Sequence, residues 1–303
     1  MDGANRPVAL VCAADDRYAM PLAVTLRSAL DGLAEGRTLR VFVIDGGIQP
    51  RRRERLLASL DPRRCDVEFL VPDPQAFKDA VVTPGHVSVA SYYRIAAPWL
   101  LPADLTRVIY LDSDLVVRGD LAALFATDLK GQPLAAAVDT AVPSVSAPLG
   151  LRNYRALGLA PDVPYFNAGV LVLDLARWRR ERIPERAFDY LAAHIEVIRF
   201  WDQDVLNAVL AGDFRALDPR WNQLPDVAHH IREEPWIVHF ASTSKPWQVD
   251  CDHPRRDLFF EILDRTAWAG WRPRRTLRDT RAVRAVTRVQ RRVRARLSRR
   301  VRC

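Results

Sequence analysis

The sequence predicts an α/β domain, Rossmann-like in its first half, with a sheet covered by helices, and three observations predict it. Short apolar, β-rich runs alternate with helical patterns from Val8 to Val71, the signature of parallel strands joined by crossover helices. The chain has 303 residues, 49% hydrophobic and 27% charged, which gives a sizeable core and excludes a disordered, collagenous or disulfide-stapled scaffold. Carboxylates recur at the ends of predicted strands, where ligands gather in open α/β sheets.

Taken in order, Val8–Ala13 reads as a strand, Ala19–Leu33 as a helix, Leu39–Ile44 as a strand, Arg51–Leu60 as a helix and Asp66–Val71 as a strand. The turn after the first strand is Ala13-Ala14-Asp15-Asp16 in place of GxGxxG, so the dinucleotide fingerprint is absent. Two acids there would repel a pyrophosphate and suit hydrogen bonds to a base or ribose. The strand Arg107–Leu111 ends in Asp112-Ser113-Asp114 and runs into the apolar Leu115–Val117. Leu134–Val138 reads as a strand ending at Asp139, followed by a loop rich in Pro, Ser and Ala from Val142 to Leu149. Phe166–Leu173 is predicted as a strand, Pro184–Val197 and Asp202–Leu210 as helices, and Trp236–Phe240 as a strand. No linker is evident before Arg272, so one domain over residues 7–270 is expected, with a tail over 272–303.

The net charge of +8 is carried by that tail. Fourteen arginines between Arg272 and Cys303 stand against the single acid Asp279, a net of +13 that leaves the body at −5. The body therefore gives no electrostatic reason to expect nucleic-acid binding. Val283, Val286, Val289, Val293, Leu297 and Val301 recur every three or four positions among the arginines, the pattern of a basic amphipathic helix suited to an anionic membrane surface. A disordered tail or an RNA-binding arm is the alternative. Four scattered cysteines without a CxxC pair, and no secretory pattern before Val8, point to a reducing cytoplasm. No apolar run approaches the ~20 residues that span a bilayer.

Asp112 and Asp114, alternate residues at a strand end, can share one divalent ion, since magnesium and manganese prefer carboxylate oxygens. A solvated turn is the plainer alternative. His239 ends Trp-Ile-Val-His-Phe and precedes Lys245-Pro246-Trp247; an imidazole can complete such a site, and a lysine can meet a diphosphate as a point charge. Lys245 is one of only three lysines beside 42 arginines. Asp202 reads either as a helix N-cap or as a carboxylate beside a reacting sugar carbon, with Gln203 next to it. Asp139 carries the same ambiguity.

The ordered set AADDRY (13–18), HVSVASYYRI (86–95), RVIYLDSDLVV (107–117), YFNAGVLVLDLARW (165–178), WDQDVLN (201–207) and HF followed by KPW (239–247) resembles the family 8 glycosyltransferases. It is most similar to bacterial α-galactosyl- and glucosyltransferases of lipopolysaccharide or lipooligosaccharide synthesis. The resemblance implies a GT-A fold, a Rossmann-like mixed sheet flanked by helices, and Mn2+-dependent transfer, with Mg2+ as substitute. The hexose would pass with retention from UDP-galactose or UDP-glucose to a glycan or lipid-linked saccharide at the inner face of the cell membrane. By the same resemblance Asp112, Asp114 and His239 are metal ligands and Lys245 a diphosphate contact. Ala13, Asp15 and Tyr18 would hold uridine. Arg94, Ser113, Asn167, Ala168, Asp139, Asp202 and Gln203 would surround the rest of the donor, the last three as catalytic residues. Arg17 and Ser242 depart from the family pattern, which carries Asn and Gly there. A catalytically inactive glycan-binding relative, or a nucleic-acid binder using its tail, are the competing functions.

Overall fold

The computed structural model describes residues 6–72, 92–225 and 233–274. The first part of the HVSVASYYRI segment, residues 86–91, and the predicted tail helix lie outside the described residues. Seven strands form one sheet and two more a separate ribbon. The strands are β1 (Val8–Ala14), β2 (Leu39–Asp45), β3 (Cys65–Leu70), β4 (Arg107–Leu111), β5 (Leu115–Val117), β6 (Leu134–Val138), β7 (Phe166–Asp174), β8 (Arg215–Ala216) and β9 (Ile237–His239). Main-sheet order is β3-β2-β1-β4-β7-β6-β8. β3, β2, β1 and β4 are parallel; β7 runs antiparallel to both β4 and β6. The sheet is therefore mixed, and its reversal falls between β4 and β7.

Both faces of the sheet's centre are covered, which explains the near-continuous apolar runs of β1, β4, β6 and β7. Because side chains alternate along a strand, Val8, Leu10 and Cys12 enter the core beneath helix Ala19–Asp31. Ala9 and Val11 enter the opposite core with Phe42, Ile95, Trp178 and Leu206. Trp178 is fully buried and its indole N–H donates to the carbonyl of Pro133 at 2.9 Å, so the apolar ring is accommodated without an unmade hydrogen bond.

Every predicted strand is present to within one residue at each end. The helices deviate more. The first stops at Asp31, before Gly32, and the second spans Pro50–Leu57, with proline at the first helical position, where its missing N–H costs nothing. The pattern over 184–197 divides into an α-helix, Ile183–His194, and a 3-10 turn, Ile195–Val197. Helix Tyr93–Leu100 carries Pro98 inside it; proline lacks the N–H that would bond the carbonyl four residues earlier, so the sequence pattern argues against a helix there. No described helix is long and apolar enough to cross a membrane.

The ribbon β5–β9 positions the site. Leu115 pairs with His239 and Val117 with Ile237 in antiparallel register, and the N–H of Phe240 donates to the carbonyl of Asp114 at 3.1 Å. A two-stranded ribbon leaves an edge unpaired, and here two helix side chains satisfy it. The Thr25 hydroxyl donates to Leu115 O at 3.0 Å and accepts from Leu115 N at 3.1 Å, while the Ser28 hydroxyl accepts from Val117 N at 2.9 Å. Both are buried, so hydroxyls at a three-residue helical spacing substitute for a missing strand.

Candidate active site

A cleft of about 660 Å³ opens at the C-terminal ends of β1 and β4. Asp112 and Asp114 project from the β4–β5 turn into it, and His239 reaches it from the end of β9. One ligating atom from each of these three lies within 4.8 Å of the others. Nε2 of His239 is 3.6 Å from Asp112 Oδ2 and 3.4 Å from Asp114 Oδ1.

The outward-facing atoms of the three are committed elsewhere. Asp112 Oδ1 accepts from Arg94 Nη2 at 2.7 Å and from the Tyr110 hydroxyl at 3.0 Å. Asp114 Oδ2 accepts from Lys245 Nζ at 2.6 Å, and that ammonium also donates to Phe240 O. His239 Nδ1 meets Asn222 Oδ1 at 2.9 Å. Burial opposes ionisation of Asp114, yet the Lys245 ammonium beside it holds its carboxyl well below its ordinary value. Two carboxylate oxygens and an imidazole nitrogen thus face a common point, a donor set suited to a hard or borderline divalent cation such as Mn2+ or Mg2+.

Gly169 makes this convergence possible. A Cβ there would stand 2.2 Å from His239 Cε1 and 2.9 Å from Asp112 Oδ2, so Asn-Ala-Gly supplies the flat floor on which the imidazole rests.

Arg94, from helix Tyr93–Leu100, links the cluster of Asp112, Asp114 and His239 to the far wall. Its Nε is 2.7 Å from Asp202 Oδ2, its Nη1 donates to Ala168 O, and its guanidinium lies 4.6 Å over the Tyr110 ring. Asp202 is therefore not the N-cap of its helix: the helix begins at Trp201 after Phe200, and Asp202 spends its carboxylate on Arg94. Asp204 instead reaches back, accepting from the N–H groups of Arg199 at 2.6 Å and Phe200 at 3.0 Å and from the Tyr165 hydroxyl at 2.6 Å. Burial pushes the Asp202 carboxyl up to about 7, Arg94 acting against it and the charge of Asp112 adding to it.

Asp139 is saturated. Its Oδ1 accepts from the N–H groups of Ala141 and Val142, and its Oδ2 from Asn167 Nδ2 and Gln203 Nε2, all at 3.0–3.1 Å. Gln203 Oε1 in turn accepts from Asn167 Nδ2 and Ala168 N, each at 3.1 Å. Asn167 and Gln203 line the cleft, whereas Ala168 lies behind its wall and acts through its backbone.

At the other end, Ala13, Asp15, Arg17 and Tyr18 line the cleft beside Ser113, whose hydroxyl donates to Ala13 O at 2.7 Å. Asp15 Oδ1 accepts from the N–H groups of Arg17 and Tyr18 at 2.9 and 3.2 Å. Of the two acids expected to face a ligand, only Asp15 does so; Asp16 accepts from Gln49 N and pairs with Arg52. The Tyr18 ring meets Trp247 edge-on with centroids 5.6 Å apart, joining the first turn to the Lys-Pro-Trp turn. Ser242 has no left-handed backbone and its hydroxyl donates to Ser244 O at 2.8 Å, so serine is accommodated where the family carries glycine.

Gly169, Tyr110 and Asn222 were not singled out as functional from sequence. Tyr110 was within reach, since residues two apart on a strand share a face with Asp112. Asn222 offers no sequence signal.

The profile of glycosyl transferase family 8 matches residues 9–251. General stress protein A of Bacillus subtilis is 31% identical over 277 residues, covering 86% of this chain and 94% of that protein. The lipopolysaccharide 1,2-glucosyltransferase of Escherichia coli K12 is 31% identical over 199 residues, covering 62% of this chain and 57% of that enzyme. The crystal structure of galactosyltransferase LgtC with donor and acceptor sugar analogues superposes with a TM-score of 0.76 at 27% identity, over 86% of this chain and 96% of LgtC. The chain belongs to glycosyl transferase family 8, and its mixed sheet flanked by helices is the GT-A fold expected above.

Proposed function

We propose that this glycosyltransferase moves galactose or glucose from a UDP-sugar to a hydroxyl of a glycan or glycolipid, with retention at the anomeric carbon. The observation that carries the reading is the convergence of Asp112, Asp114 and His239 beside Lys245, at the centre of a cleft lined at one end by Asp15 and Tyr18 and at the other by Asp202 and Gln203. Lipopolysaccharide glucosyl- and galactosyltransferases among the relatives, and LgtC among the structures, support the substrate class.

Breaking a sugar–phosphate bond leaves negative charge on the diphosphate and positive charge on the sugar. Mn2+, or Mg2+ in its place, held by Asp112, Asp114 and His239, would neutralise part of the charge on the leaving diphosphate. Lys245, next to the triad, contributes a second positive charge to the same oxygens and stabilises the departing group electrostatically. Asp15 and Tyr18 hold the nucleoside at the other end of the cleft, Asp15 with its free oxygen and Tyr18 with its ring face. Arg94 orients Asp202 toward the sugar, and Asn167 and Asp139 hold the Gln203 amide as a fixed dipole. Asp202 neutralised by Arg94 is a weak nucleophile, which favours front-face attack, with the acceptor's proton passing to the leaving phosphate, over a covalent sugar ester.

The deciding experiment incubates the protein with Mn2+ and a panel of UDP-sugars without acceptor and measures UDP release. Slow release from UDP-galactose or UDP-glucose alone supports the reading and names the donor. Binding of UDP-sugars without release from any of them assigns the chain instead to a catalytically inactive glycan- or nucleotide-binding role.

A further inference from the structure

We propose that Asn222 is the positioning residue of His239, fixing which imidazole nitrogen faces Asp112 and Asp114 through a chain of side-chain amides polarised by the backbone. The inference rests on the reading of Asp112, Asp114 and His239 as a cation site. It concerns a residue outside that triad.

The two ends of an amide side chain have the same shape, so their direction is set only by partners that exclusively donate or exclusively accept. The chain starts at such a partner. The backbone N–H of Gly169 only donates, and it meets Asn167 at 3.0 Å, so the Asn167 atom there is Oδ1. Its Nδ2 then points at the carboxylate of Asp139, at 3.1 Å, which only accepts. Asn222 places an atom 2.9 Å from the same Asn167 Oδ1, and this must be its donating Nδ2. The Asn222 carbonyl is thereby turned to His239 Nδ1 at 2.9 Å. A carbonyl facing a ring nitrogen requires the proton on that nitrogen. A neutral imidazole carries one ring proton, so Nε2 keeps its lone pair and presents it toward Asp112 Oδ2 and Asp114 Oδ1.

Burial makes the chain effective. Asn167, Asn222 and His239 are 7%, 4% and 3% exposed, so water does not supply substitute partners. The backbone holds Asn222 in place: the N–H of Gln223 donates to Ile237 O and the N–H of His239 donates to Gln223 O, both at 2.9 Å, which lays the end of the turn Pro219–Asn222 alongside β9. In the other tautomer, Nε2–H would donate to the two carboxylates and occupy the point where a cation binds. Ligand histidines owe both orientation and affinity to such partners, whose loss costs roughly 10–100-fold in metal binding.

The test uses the metal-free full chain with 15N-labelled histidine, His239 being assigned by difference from His239→Gln. The expected spectrum has a protonated Nδ1 and an unprotonated Nε2. A proton on Nε2 of the wild-type ring overturns the proposal, and the protonation pattern itself is read in the wild-type protein. In parallel, Mn2+ binding is titrated by electron paramagnetic resonance. Asn222→Ala is expected to bind Mn2+ roughly 10–100-fold more weakly. Asn222→Asp keeps an acceptor against Nδ1 and restores most of the affinity. Wild-type Mn2+ binding by Asn222→Ala, where His239→Gln binds weakly, overturns the role of Asn222 alone. Undiminished binding by His239→Gln overturns the cation reading beneath it.

Discussion

A methyl group on Gly169 would lie 2.2 Å from Cε1 of His239 and 2.7 Å from its Nδ1. Contacts that short do not occur in packed interiors, so either the imidazole or the β7 backbone must move. The strand is buried on both faces and paired on both edges, which leaves the ring as the part that yields. Gly169→Ala should therefore weaken Mn2+ binding at least ~10-fold, as loss of a ligand's orientation does, while circular dichroism stays native. Wild-type Mn2+ affinity in a folded Gly169→Ala protein would show that His239 does not ligate from this position.

Asp114 has one oxygen turned to the triad and the other on Lys245. Asp114→Asn removes a charge from both partners. Metal-held leaving groups are worth several kcal/mol, so UDP-sugar turnover should fall at least ~1000-fold. Wild-type turnover should likewise vanish in excess chelator and return with Mn2+. Undiminished turnover in chelator would contradict the metal reading.

The Asp202 carboxyl, pushed up to about 7 chiefly by burial, gives the pH dependence a definite sign. If the carboxylate form supports the cationic sugar, turnover rises with pH to a plateau above about 7, and a cation that offsets the charge of Asp112 moves this limb lower. Asp202→Asn should lose the limb together with most of the activity. Stability runs the other way: the folded carboxyl holds its proton through a window in which the unfolded chain has already released it, so ionisation costs stability as pH rises from about 4 to about 7. The difference in melting temperature between wild type and Asp202→Asn, followed over that window, checks the sign. Intact-mass analysis of wild type with donor alone should show no adduct; a stable sugar ester on Asp202 would replace front-face attack with double displacement.

Residues 275–303 of the arginine-rich tail lie outside the described residues, and the tail's membrane role is a proposal from sequence. Arg272 still belongs to the body, since it pairs with Asp264 at 2.6 Å and lies over the Phe260 ring. Truncation after Arg274 should therefore preserve UDP release while abolishing co-sedimentation with anionic vesicles at physiological salt, each lost arginine contributing roughly 1 kcal/mol near the surface. Equal sedimentation of both forms would rule the anchor out.

Much of the site is local in sequence, and that part was legible. Asp112 and Asp114 are two residues apart at the end of an apolar strand, and Asp15 and Tyr18 sit in one turn, so their residue types and spacing already expressed their chemistry. Strand positions were equally plain, because burial on both faces demands uninterrupted apolar runs such as β1 and β7. Asp202 illustrates where reading stops: its place at a helix start suited a cap, and only the approach of Arg94 from a helix 108 residues earlier assigned its carboxylate elsewhere.

The sequence by itself determined the alternating strands and helices, the strand-end acids and the family, since these depend on periodicity and on short ordered motifs. Tertiary structure decided which atoms of those residues remain available. Asp139 and Gln203 look alike in sequence as candidate catalytic groups, yet the packing of β6, β7 and helix Trp201–Leu210 makes Asp139 Oδ2 accept from Gln203 Nε2 and from Asn167 Nδ2, while Gln203 Oε1 accepts from Asn167 Nδ2. Asn222 carries no sequence signal at all, and its bond to His239 exists because a ribbon formed by residues 115–117 and 237–239 folds over Gly169. Hydrogen-bond direction is a property of partners in space, and chain order does not encode it.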